Sequence, residues 1–385
     1  GPHAAQRHHA EVRVERCGAA SSPALVEALR VASPPATAIL LRELAIVDPA
    51  EAVRQALPRL AGASAKQRRA IRGEIAYAAD AAAARPALVA ALADATLPPA
   101  TTLELLRALA PRLPALQPEA GRALGRLARQ DAAFETRYLL AEPATALAAS
   151  DPAARAWVAW SLLSDPERQV RARFAEAIVG PAAFERELVR ALGDGEVRVR
   201  VAALESLARG PSASVAAPVA ELLRRDPWPM VRAAAAAVIA VAPVDPELDR
   251  ALIAALRDRS PRVRQPVVVA LGARRVTAAA KPLRKRLTDR EETVGVRAAA
   301  AGALAAVCDP AAVEPLTRLA RRFADPQDQS ADRPVAPAAV AALGKLHPRD
   351  LQDRLAPLLA EGAPPPARDA ARAALAAPAQ CAVAP

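Results

Sequence analysis

The sequence predicts an all-α chain, an α-solenoid of stacked antiparallel helix pairs, and three observations carry that prediction. One phrase, an Asp followed by a Val-Arg step and an apolar run, is written five times between Asp165 and Leu304. Its Asp residues, Asp165, Asp194, Asp226, Asp258 and Asp289, lie 29, 32, 32 and 31 apart, the period of a helical repeat and not of one globular core. Composition agrees: 53% of the 385 residues are hydrophobic and 2% aromatic, so Ala, Leu and Val must fill the core. Ala, Leu and Arg favour helices, and the β-branched and aromatic enrichment of strands is missing.

The elements follow in order. Residues 1–22 fit no pair; EVRVERC from Glu11 alternates polar and apolar residues, as a short strand or an extended arm would. Residues 23–164 read as divergent helical repeats, such as ALVEALRVASPPATAILLREL, without the phrase. Across residues 165–308 the repeats are regular, and each Asp is expected to accept bonds from the free amides that open the following helix. Val199, Ala203, Leu204 and Leu207 recur at three- and four-residue steps, as do Val231, Ala235, Val238 and Ile239, giving each second, inner helix one apolar stripe. Patterns from Pro181, Val215, Asp245 and Ala278 supply the outer helices. Over residues 309–377 the phrase decays while the period persists: an outer helix at 309–323, a polar loop at 325–333, an inner helix at 336–346, and a last pair at 349–360 and 366–376. Residues 378–385 form a tail expected to fray. Length divided by period gives roughly ten helix pairs. Most of the 37 prolines stand at segment starts, where a helix loses no hydrogen bond to them.

The formal charge is +11, and 48 of the 52 basic residues are Arg. That balance implies weak attraction to acidic partners, although an Arg- and Ala-rich bias also follows from a GC-rich genome. Two basic clusters, Arg257, Arg259, Arg262 and Arg264, and Lys281, Arg284, Lys285 and Arg286, read first as solvated helix faces. Cys17, Cys308 and Cys381 make no disulfide framework and no metal-ligand spacing. Cys308 and Cys381 fall two repeats apart, where a direct bridge is not expected in a stacked array. The longest apolar run, Ala233 to Ala242, is about half a membrane span. The chain starts Gly-Pro-His without Met, leaving room for a trimmed N-terminus and a compartment open between cytoplasmic and exported.

The phrase DPxxxVRxxAAxAL, best matched by Asp226 to Ile239 and Asp258 to Leu271, resembles the HEAT-repeat family, most of all its short bacterial HEAT-like or lyase-type repeats. The resemblance is strong from Asp165 to Leu304 and weak before Ser150. It implies a right-handed superhelix that binds proteins, or less often nucleic acid, along a concave face lined by the second helices. It further implies a ladder in which the turn Asp and the Arg six residues on join neighbouring units: Asp165 and Arg171, Asp194 and Arg200, Asp226 and Arg232, Asp258 and Arg264. In the fifth copy Asp289 and Arg297 stand eight apart, which distorts that joint.

Candidate sites are few. The ladder is structural, because every unit of an array needs the same joint. His3, His8, His9 and His347 have no partner at nucleophile or metal spacing, and no glycine-rich phosphate loop occurs, so no catalytic, metal or cofactor site is expected. Trp157 and Trp160 share a helix face and either anchor a partner or fill a widened core. Trp228 opens an inner helix next to Pro229, and Arg262 of the first basic cluster is a further candidate for contact with a partner. The expected function is a non-enzymatic adaptor holding a protein or peptide in its concave groove. The alternatives are nucleic-acid binding, including the base-excision enzymes built on such repeats, and, last, a bilin-lyase role.

Overall fold

The computed structural model describes residues 18–381. The strand or arm expected from Glu11, the first three histidines and Cys17 lie outside the described residues. The chain forms two compact units that part between Val179 and Gly180, one helix beyond the point where the repeats become regular.

In the first unit the helices are α1 (Ser22–Arg30), α2 (Pro34–Val47), α3 (Pro49–Leu60), α4 (Ala65–Ala78), α5 (Arg85–Ala93), α6 (Pro99–Ala108), α7 (Glu119–Leu127), α8 (Phe134–Leu139), α9 (Ala141–Leu147), α10 (Pro152–Ser164) and α11 (Arg168–Ala177). Local chemistry sets many of their starts. Asp48 accepts the Glu51 amide ahead of Pro49, Asp151 accepts the Ala153 and Ala154 amides ahead of Pro152, and Ser64 and Gln67 form a capping box. First helices α3, α5 and α7 make one layer; second helices α2, α4 and α6 make the other. The expected arm is shorter than residues 1–22, because a 3-10 turn already spans Gly18–Ser21 and α1 begins at Ser22.

In the second unit, six pairs follow: α12 (Glu185–Ala191) with α13 (Val197–Leu207), α14 (Ala216–Arg225) with α15 (Pro229–Val241), α16 (Pro246–Ala255) with α17 (Pro261–Ala273), α18 (Ala280–Thr288) with α19 (Val294–Ala306), α20 (Val313–Arg321) with α21 (Ala336–Leu346), and α22 (Leu351–Leu359) with α23 (Pro365–Ala376). The apolar stripes are its core: Val199, Leu204, Leu207, Val231, Val263, Val267 and Leu271 have no exposed surface. Each such side chain stabilises the fold by roughly 1.5–3 kcal/mol relative to exposure.

Every second helix from α13 to α23 packs on the next. Small residues let them approach closely. A Cβ on Gly272 would stand 2.9 Å from the Ala303 Cα, and one on Gly344 would stand 2.8 Å from the Ala374 Cα and carbonyl oxygen. The first-helix layer is less continuous: α14 packs on α16 and α20 on α22, while α18 stands apart from both its neighbours.

Two expectations need correction. Cys308 and Cys381 form a disulfide with Cα atoms 5.5 Å apart, so they are bridged despite the 73 residues between them. The separation argument missed that the chain turns back after α23. Gln380 donates its amide to the Lys345 carbonyl at 3.0 Å and Cys381 is buried, so the tail is tied as far as Cys381 and not frayed from Ala377.

Closing a loop of this length removes chain entropy from the unfolded state, worth about 4 kcal/mol in that model. Thermal unfolding should therefore shift down on reduction and equally in Cys308→Ser, with no further shift when the variant is reduced; an unchanged midpoint would refute a stabilising bridge. Gly344→Ala should cost about 1–3 kcal/mol, because the Ala374 backbone cannot swing aside as a side chain would. Denaturant titration measures it, and a neutral result would show that the two helices separate freely.

Candidate functional site

The Asp of each phrase does not cap the helix that follows, as composition led one to expect. The N-caps are Glu167, Glu196, Trp228 and Ser260, each two residues beyond its Asp. The carboxylate instead accepts the N-cap residue's own amide, at 2.9 Å for Asp165 and 2.8 Å for Asp194, Asp226 and Asp258. That closes a tight Asx turn. For Asp226 and Asp258 the turn also aims both oxygens at an arginine of the preceding repeat.

The Arg six residues after the Asp donates in its own repeat to the Asp backbone carbonyl, at 2.8 Å from Arg171, 2.7 Å from Arg200, 2.8 Å from Arg232 and 2.6 Å from Arg264, and more weakly to the next carbonyl, at 3.4, 3.3, 3.3 and 3.2 Å. The carboxylate that Arg200, Arg232 and Arg264 grip belongs to the next repeat. Arg200 holds Asp226 through Nε at 2.9 Å and Nη2 at 3.3 Å, and Arg232 holds Asp258 at 2.7 and 2.9 Å. Each guanidinium thus spans the turn carbonyls of its own repeat and one forked carboxylate, a geometry that lysine lacks.

Irregular copies complete the series differently. Arg264 holds Glu292 through two bonds of 2.6 Å, and Asp289 plays no part in that pair. The insertion moved the carboxylate by three positions. Arg297, only 1% exposed, donates to the Leu287 and Ala331 carbonyls at 3.0 Å and to Asp332 at 2.5 Å. In the first unit, Arg137 grips Asp165 at 2.8 and 3.1 Å. Arg137, Glu292 and Asp332 were absent from the sequence reading. Arg137 had a signal, standing six residues after Asp131; Asp332 had none, since no Arg follows it at that spacing.

Further pairs join repeats of the first unit in the same register, 32 residues apart: Arg42 with Glu74, Arg72 with Glu104 and Arg112 with Asp80. The period persists there without the phrase.

The joints settle how the second helices present their first turns. Trp228 and Met230, at the start of α15, are 53% and 54% exposed. Arg262, in the matching place on α17, is exposed, and Val269 of the same helix is 54% exposed. Trp157 and Trp160 stack with ring centroids 5.0 Å apart along α10, and Trp157 is buried with its Nε1 lacking a hydrogen-bond partner among the described residues. That pair packs mainly inward. His347 ends α21 in the left-handed conformation, its Nδ1 buried and without a partner among the described residues.

The fold and joints define an α-helical repeat protein. A family model described as HEAT repeats matches residues 161–240 and 249–331, so these two segments are HEAT repeats. No curated protein matches it in sequence. Among solved structures it is similar to importin β, with a TM-score of 0.64 at 16% identity over 97% of this chain and 59% of that one. It is similar to a Kap95:Nup1 complex, with a TM-score of 0.58 at 11% identity over 89% of this chain and 53% of that one. Kap121p bound to Nup53p gives 0.53 at 15% identity over 92% and 44%. This chain therefore spans about half the length of these proteins, and at such identities the likeness shows the fold alone.

Burial works against charge on Asp258 and Glu292, but the guanidinium bonds and the Ser260 and Thr293 amides outweigh it and hold both carboxyls below their ordinary values. A carboxyl depressed by folding stabilises the native state above its unfolded pKa and ceases to as pH falls through the folded one. Glu292→Gln should cost about 1–3 kcal/mol at neutral pH. That deficit should shrink as pH falls from the ordinary carboxylate range through the lower folded pKa of Glu292, where the native glutamate is also protonated. Urea titrations across pH 2–7 check this, and a deficit independent of pH would rule out a charged joint.

Proposed function

We propose that this chain is a non-enzymatic scaffold or adaptor that holds a protein or peptide along the second-helix face of its second unit. The observation that carries the reading is the exposed pair Trp228 and Met230, in a chain with only nine aromatic residues and a single Met. Trp and Arg dominate binding hot spots because they offer large contact area and directional bonds, and Met adapts its shape to a partner. Arg262 and Val269 continue that surface onto the next repeat.

Two further points support the reading. The recurring Asp and Arg residues, which would be the natural stock for a reactive site, are engaged in holding repeats together. Kap95 and Kap121p, which share the fold, are described in complexes with Nup1 and Nup53p. The Trp pair that pointed to base handling is largely taken up by packing, which favours a protein partner over a nucleic acid.

Selection of displayed peptides on the immobilised protein should enrich binders. Trp228→Glu with Met230→Glu should weaken them by about thirtyfold or more, the effect of losing a hot spot worth about 2 kcal/mol. Both side chains are exposed, so the helical circular dichroism should not change. Selected peptides that bind the double variant as well as the parent would defeat the proposal.

A further inference from the structure

The first-helix layer carries a feature that the second-helix face does not explain. Because α18 stands apart from α16, a cleft of about 520 Å³ opens between them. Its charged lining is entirely cationic: Arg250, Arg257, Lys281, Lys285 and Arg286. Its apolar lining comes from Ile253, Leu256 and Pro282.

Some of these charges are already matched. Arg250 pairs with Glu247 at 2.7 Å, and Arg286 reaches Asp289 and Glu292. Arg257, Lys281 and Lys285 are exposed and have no acidic partner among the described residues, so three cations converge on one groove uncompensated. In sequence they belonged to two separate clusters, either of which a solvated face explains. Folding brings Arg257, the first residue of one cluster, and Lys281, Lys285 and Arg286 of the other to opposite walls of the same cleft. Like charges placed so repel one another and raise the local potential, which an anionic ligand relieves.

We infer that this cleft binds an acidic peptide segment, with carboxylates on the rims and one apolar side chain on the floor. Lysines act as mobile point charges suited to glutamate and aspartate at varied spacing, in contrast to the rigid fork that Arg presents to one phosphate. No aromatic side chain lines the cleft, so bases have nothing to stack on. A lipid bilayer is flat, whereas these apolar atoms lie between two helices. The inference is independent of Trp228 and the opposite layer.

The test uses the full chain and a short fluorescein-labelled peptide of glutamates flanking one leucine, read by anisotropy at low salt. The peptide should bind, and Lys281→Glu with Lys285→Glu should weaken it about tenfold or more. Lys345→Glu with Arg349→Glu, a charge change of the same size away from the cleft, should leave it within about twofold, as should Trp228→Glu. Replacing the peptide's glutamates with glutamine should abolish binding, and replacing leucine with serine should weaken it. If the double charge reversal unfolds the protein, Lys281→Gln with Lys285→Gln takes its place, with the same direction expected. Absence of binding at low salt, or equal loss in Lys345→Glu with Arg349→Glu, overturns the inference. So does a single-stranded oligonucleotide or a phosphatidylserine vesicle that binds more tightly and loses affinity in the cleft variant.

Discussion

The arrangement rests on the guanidinium that bonds a carbonyl of its own repeat and a carboxylate of the next. Hydrophobic burial brings second helices together but does not choose their register, because an Ala-rich surface is nearly smooth along its length. A forked ion pair does choose, since both Arg nitrogens find both oxygens in only one alignment. The carboxylates concerned are almost fully buried, with side-chain exposures of 0% for Asp165 and 4% for Asp226. A buried pair of this kind contributes modestly to net stability while penalising any alternative that leaves one member unmatched. Regularity of the stack is then a consequence of charge matching laid over close packing.

Close packing imposes the second constraint. Gly272 against Ala303 and Gly344 against Ala374 leave room for no side-chain atom between the backbones. The other layer is looser, with α18 apart from α16 and α20. The two layers consequently have different chemistry: apolar side chains at first turns on one, a cationic cleft on the other. The disulfide from Cys381 to Cys308 adds a covalent restraint across the last repeats, and the Cys381 Sγ lies 3.3 Å from the Ala305 carbonyl oxygen.

Much of this was legible in the residues. Periodic Asp, Val-Arg and Leu positions located α13, α15, α17 and α19 and named their buried stripes, because a helix with one apolar face declares itself every three or four residues. Inner helix 336–346 coincides with α21. Legibility failed where the relevant partner is distant. Asp226 and Arg232 were expected in a ladder between neighbouring units and they stand in one, but the phrase does not say that the carboxylate of Asp226 answers Arg200 while Arg232 reaches on to Asp258. Glu292 escaped notice because the insertion displaced it from the expected place. Cys381 was thought out of reach of Cys308 because repeat counting treats the chain as a line and ignores a terminal segment folding back.

The sequence by itself determined the helical class, the repeat period and which stripe of each second helix is buried, since these follow from propensity and from spacing within a few turns. Only the tertiary structure decided which carboxylate each arginine holds, which Trp faces solvent, and that Arg257 shares a cleft with Lys281 and Lys285. Those outcomes depend on the separation of helices some thirty residues apart. No local rule sets that distance, because it emerges from the size of every side chain packed between them.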